Sequence, residues 1–140
     1  MRTLILSAFV ILSVAQTVEA KSRILLLGGT AENCKAEFLP IRQTLNTLPI
    51  PDDWTFVVVC SPVVWDNLLR RIDGLGKTNT AFTNLKAHHT YFNGSNFSPR
   101  VAAHELGHVL RQTTDHEKAE AAGFILLQHR DNNTVGGRPR

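Results

Sequence analysis

The sequence predicts an α+β protein: a small mixed β-sheet, a helix carrying the pattern HELGH packed against it, and a further helix that follows. Three observations lead there. Short apolar runs rich in β-branched residues alternate with segments whose apolar residues recur at helical spacing. Two Ser-Pro pairs, Ser61-Pro62 and Ser98-Pro99, mark helix starts. The chain has 140 residues, 43% hydrophobic and 19% charged, which is enough for one core, too few for two, and too apolar for a disordered chain.

The first segment, residues 1–20, has Arg2 ahead of an apolar run from Leu4 to Val14 and small residues, Val18 and Ala20, before a cut after Ala20. That is the pattern of a secretory signal peptide; the run is too short and too interrupted by Gln16, Thr17 and Glu19 for a membrane span. It predicts a secreted or periplasmic protein with no stable membrane partner once the signal is removed. The net charge of +3 is mild and spread along the chain, so no nucleic-acid partner is expected.

The RILLL run, ended by Gly28 and Gly29, reads as a buried strand, and its Gly-Gly-Thr turn lacks the spacing of a phosphate loop. Residues 36–48 read as a helix interrupted or started at Pro40 and closed by Pro49 and Pro51. WTFVVVC, residues 54–60, is the clearest strand. Ser61 and Pro62 then open a helix through Val64, Leu68, Leu69 and Ile72, with Gly74 and Gly76 beyond it. Residues 80–85 and 89–92 form two short strands of a hairpin. Ser98 and Pro99 open a helix over 99–112, Thr114 or Asp115 caps a last helix over 116–128, and residues 131–140 form a loose tail. The folded domain therefore spans residues 21–130. Cys34 and Cys60, the two cysteines, follow the first and end the second strand; they can bridge if those strands are parallel neighbours, and buried free thiols are the alternative.

HELGH, residues 104–108, is an instance of the HExxH motif on a segment independently expected to be helical. Residues four apart on a helix are raised by about 6 Å on one face, so His104 and His108 can share one tetrahedral zinc ion. A zinc ion with three protein ligands keeps a position for water, and Glu105 can take a proton from that water as it attacks a peptide carbonyl. The alternative is an amphipathic helix with Ala102, Leu106, Val109 and Leu110 on its buried face and polar residues as decoration.

With this motif on a helix behind a small sheet, the chain resembles the zincin metallopeptidases. The similarity covers most of residues 54–128. The strand containing Thr90, Tyr91 and Phe92 resembles the zincin edge strand, which pairs with extended substrate. The resemblance implies a secreted zinc endopeptidase acting on peptide or protein substrate, with Zn2+ as cofactor.

The candidates for a third metal ligand are Asp115, His116, Glu117 and Glu120. The metzincin continuation would need Gly at 111 and His at 114, where the sequence has Arg111 and Thr114. In an antiparallel helix hairpin, His108 and Glu120 lie at the same height, whereas Asp115 and His116 are too near the turn to reach the ion unless the chain bends. Glu120 is therefore preferred over His116 and Asp115. Residues 120–124, EAAGF, also resemble the EAxxF segment of minimal gluzincins, in which the glutamate binds zinc, although Ala122 departs from the Asn or Asp often found there. Tyr91, His129 and Arg130 are candidate transition-state donors. His88 and His89 read as ordinary hairpin residues, and Asn93-Gly94-Ser95 and Asn132-Asn133-Thr134 as turn chemistry. The rival to a peptidase is a catalytically silent zinc-binding structural or interaction module with the same fold.

Overall fold

The computed structural model describes residues 23–72 and 78–135. The predicted signal peptide, Gly74 and Gly76, and residues 136–140 of the predicted tail lie outside the described residues. In chain order the elements are β1 (Arg23–Leu27), α1 (Lys35–Leu45), β2 (Thr55–Val59), α2 (Pro62–Arg71), β3 (Ala81–Asn84), β4 (His89–Asn93), α3 (Pro99–Arg111) and α4 (His116–Val135). The fold is α+β, with four strands in the order β1-β2-β4-β3. β1 and β4 flank β2 in parallel, and β3 runs antiparallel to β4.

Alternation along the strands sends side chains to two faces. On one face Phe56, Val58, Phe92 and Ala81 meet Ile41 and Leu45 of α1 and Ala102, Leu106 and Val109 of α3. On the other, Val59 and Phe82 meet Trp65 of α2, with Tyr91 at their border. Contact across the first face holds α3 under β3. The HExxH helix is thereby set below the edge strand.

Local chemistry explains the helix boundaries. Ser61 Oγ accepts from the Val64 amide at 3.2 Å and Ser98 Oγ from the Val101 amide at 3.3 Å, each filling an orphan donor ahead of a first-turn proline. Pro40 neither starts nor interrupts α1. It sits inside the helix on an exposed face, while Ile41, Thr44 and Leu45 are buried, so the one missing amide leaves a carbonyl that water can satisfy. α4 runs to Val135 rather than ending near residue 128, so the first part of the predicted tail is helical; no glycine or proline lies between Phe124 and Val135 to stop it. Leu110, expected on the buried face of α3, is 45% exposed, and Ala103 is buried instead.

Cys34 and Cys60 form a disulfide, with Cα atoms 5.5 Å apart. The parallel register of β1 and β2 brings the two chain exits to one sheet end. Asn93 is buried at the end of β4, and its side chain binds Asn79 and Ser95, the role of a turn residue.

α3 and α4 lie against each other at unusually short range. A Cβ on Gly107 would overlap the Ala119 carbonyl, and one on Gly123 would stand 2.7 Å from the Ala103 carbonyl oxygen. Both helices need these glycines to approach as they do.

Candidate metal centre

α3 ends at Gln112 in the left-handed conformation, φ 48° and ψ 48°, and the Thr113 amide returns to the His108 carbonyl at 3.1 Å. The chain then turns sharply. Asp115 Oδ1 accepts from the amides of Glu117 at 2.9 Å and Lys118 at 3.2 Å, which caps α4 and commits that carboxylate to the helix N-terminus. His116, the first residue of α4, is thereby folded back beside the last turn of α3.

Three imidazoles meet there. His104 Nε2 lies 3.1 Å from His108 Nε2 and 3.2 Å from His116 Nδ1, and the three donor atoms fall within 4.8 Å of one another. His104 and His116 are stacked at 15°, and His108 stands nearly perpendicular to both. The outer nitrogens of the motif histidines are engaged elsewhere. His108 Nδ1 is 2.7 Å from the Thr113 carbonyl oxygen, and His104 Nδ1 is 2.8 Å from Glu120 Oε2. A carbonyl only accepts, so His108 Nδ1 carries the proton, and a carboxylate assigns the proton of His104 Nδ1 in the same way. In the neutral rings both Nε2 atoms then present lone pairs toward each other at 3.1 Å. Two facing lone pairs repel, and a cation between them removes the repulsion. Tetrahedral zinc with bonds of about 2.0 Å would set nitrogens roughly 3.3 Å apart, close to the two separations that involve His104, while His108 and His116 lie within 4.8 Å of each other. The donors present therefore fit a metal ion.

Glu120, preferred as third ligand, lies on the far side of His104, on Nδ1 and not with the inward-facing nitrogens. It also accepts from Arg100 Nε at 2.9 Å and from the same guanidinium's Nη2. Arg100 and, after it, His104 hold its carboxyl below the ordinary carboxylate value. The histidines brought together are His104, His108 and His116. Matching heights on the two helices was not sufficient, since Glu120 points along α3 toward Arg100, while the left-handed turn at Gln112 supplies the bend that lets His116 reach inward.

Glu105 is 6% exposed, on the side of α3 that faces β3. Burial pushes its carboxyl above the ordinary carboxylate value; a hydrogen bond from Thr83 and the nearness of His108, His104 and His116 act against that push. Glu105, His108 and His116 line a cavity of about 360 Å³ together with Thr83, Phe82 and Thr113. A buried carboxylate and two of the imidazoles thus share one opening.

The other candidates are placed elsewhere. Tyr91 stacks on Phe82 at 4.6 Å on the α2 side of the sheet. Arg130 pairs with Asp131 on a surface shared with Pro40 and Phe97, and His129 is exposed on α4. His88 stacks on Trp54 and pairs with Asp53 in the hairpin turn. β4 is paired on both sides, so the resemblance of Thr90, Tyr91 and Phe92 to an edge strand does not hold; the edge beside α3 is β3. Sequence reasoning missed Thr83, Arg100 and Thr113 as partners of the motif. Their contacts cross between elements, and no spacing signals them.

Comparison with protein-family models, with curated proteins and with solved structures gives no match to this chain.

Proposed function

We propose that this chain is an exported zinc-dependent peptidase in which His104, His108 and His116 hold the metal and Glu105 is the general base. One juxtaposition carries the reading: three imidazole nitrogens converge beside a buried carboxylate, and two of those imidazoles, His108 and His116, share with Glu105 a cavity next to a sheet edge. Glu120 in this reading is not a ligand but the acceptor that fixes the His104 tautomer, as carboxylates commonly do behind metal-binding histidines.

Zinc, when bound, lowers the pKa of a coordinated water and polarises a substrate carbonyl. The chain's own groups do the rest. Glu105 accepts the proton of the attacking water and returns it to the leaving amine. The outer edge of β3 offers backbone groups to an extended peptide, which strand addition would align along the cavity. His108 is held in register by the Thr113 carbonyl and His104 by Glu120. Export is supported by the Cys34–Cys60 disulfide together with the N-terminal signal pattern.

The test is to purify the exported protein and its Glu105→Ala variant, measure bound zinc, and follow cleavage of a mixed peptide library by mass spectrometry. One zinc in both with cleavage by wild type alone is the expected result. Zinc in both with cleavage by neither would favour a silent zinc-binding module, and absence of zinc would overturn both readings.

A further inference from the structure

Behind Glu105 lies a line of hydrogen bonds, buried at Thr90 and part-buried at Thr83, that runs across neighbouring strands. Trp54 Nε1 donates to Thr90 Oγ1 at 3.0 Å, Thr90 and Thr83 hydroxyls are 2.9 Å apart, and Thr83 Oγ1 donates to Glu105 Oε2 at 2.6 Å. Thr83 and Thr90 are directly opposed in the β3–β4 register, so their hydroxyls meet on the α3 side of the sheet.

The direction of this line is determined. An indole N–H can only donate, so Thr90 Oγ1 must accept from Trp54. Thr83 has one hydroxyl proton and gives it to Glu105, so Thr90 must donate to Thr83. Reversal would need Thr90 to send its proton elsewhere, yet Thr90 is fully buried and has no further acceptor among the described residues. The line therefore ends with a proton presented to Glu105 Oε2. Glu105 Oε1 makes no hydrogen bond among the described residues and is the oxygen left to exchange protons.

We propose that Trp54, Thr90 and Thr83 form a one-way hydrogen-bond chain that anchors Oε2 of Glu105 and reserves Oε1 for the reacting water, with Thr83 as the positioning residue. This rests on the peptidase reading. Without the chain the Glu105 side chain would be free to rotate within its cavity, and the base would spend only part of its time aimed at the metal-side water. Thr83 is itself at the cavity wall, and Trp54 lies beyond Thr90 on the far side from Glu105, so the far end of the chain can be read without touching substrate.

The experiment compares wild type, Thr83→Val and Thr83→Ser as full-length exported proteins. Three readouts are zinc content, kcat and KM on the best library peptide, and the two indole N–H resonances in 1H–15N NMR. Thr83→Val keeps the shape and removes the hydroxyl; it should lower kcat about ten- to hundredfold with KM and zinc content unchanged, and Thr83→Ser should restore kcat to within about threefold. The Trp54 resonance should move in Thr83→Val and return in Thr83→Ser, while that of Trp65, which donates to the Thr78 carbonyl, stays in place. Undiminished kcat in Thr83→Val, or an equal loss in Thr83→Ser, would overturn the positioning role. An inert wild-type protein would overturn the peptidase reading and the catalytic part of this proposal with it. The Trp54 resonance would then still decide whether the chain exists, and an unmoved resonance would overturn that too.

Discussion

Gly107→Ala tests how the metal centre is assembled, because it perturbs the packing of α3 on α4 without altering any side chain proposed to bind the ion. The added Cβ would overlap the Ala119 carbonyl, which belongs to backbone and cannot rotate away. To reach ordinary contact, α4 must recede by roughly 1 Å, and overpacking of that kind costs about 2–3 kcal/mol. For a domain of this length that corresponds to a fall in Tm of about 10 °C. His116 is carried on α4 and His104 and His108 on α3, so the same displacement opens the 3.2 Å approach between His104 and His116. Zinc affinity should fall about 10- to 100-fold, comparable to disturbing the support of a ligand. Gly123→Ala meets the Ala103 carbonyl oxygen at 2.7 Å and the His104 backbone nitrogen at 3.0 Å, so it should lower Tm and zinc affinity in the same sense. Thermal unfolding by circular dichroism and competitive zinc titration measure the two effects. A Gly107→Ala protein with unchanged Tm and unchanged zinc affinity would refute the argument that close helix approach builds the site.

Replacing His116 with Ala should abolish tight zinc binding, whereas Glu120→Gln should weaken it only about 10- to 100-fold; equal losses in a zinc titration would restore Glu120 as a ligand. Glu120 also makes a pH-dependent contribution to stability in the metal-free protein. Its folded value is depressed, so its contacts with Arg100 and His104 stabilise the fold above the ordinary carboxylate value and are lost as pH falls through the depressed one. Glu120→Gln should therefore lower stability slightly near neutral pH, as expected for a half-exposed ion pair, and have no effect in strong acid; urea unfolding at the two pH values checks the sign. Replacing Cys34 and Cys60 by Ala opens a loop with a sequence separation of 26 and should cost ~3.5 kcal/mol, measured as a shift in the urea midpoint.

Much of the fold is legible in local chemistry. Ser61 and Ser98 cap α2 and α3 because each precedes a proline that has no amide to satisfy, and the β-branched run at Val57, Val58 and Val59 lies in a buried parallel strand. HELGH falls on a helix as its spacing requires. The errors arise where tertiary contact outweighs local preference. Pro40 is tolerated within α1 because the helix is buried on its opposite face. The sheet order could not be read from the strands alone, so the edge position went to β4 instead of β3. The sequence argument preferred Glu120 as third ligand; that the described residues bring His116 and not Glu120 beside the other two imidazoles was not legible, because nothing in residues 112–115 announces that Gln112, and not a glycine, adopts the left-handed conformation. The Trp54–Thr90–Thr83 chain joins residues far apart in sequence and has no periodic signature at all.

The metal centre itself is tested most directly by zinc K-edge X-ray absorption on the zinc-loaded protein. Three imidazole ligands with nitrogens at about 2.0 Å, completed by one light oxygen scatterer, are the predicted first shell. Two imidazoles with a protein carboxylate, or a zinc coordinated by oxygen alone, would contradict the assignment of His104, His108 and His116.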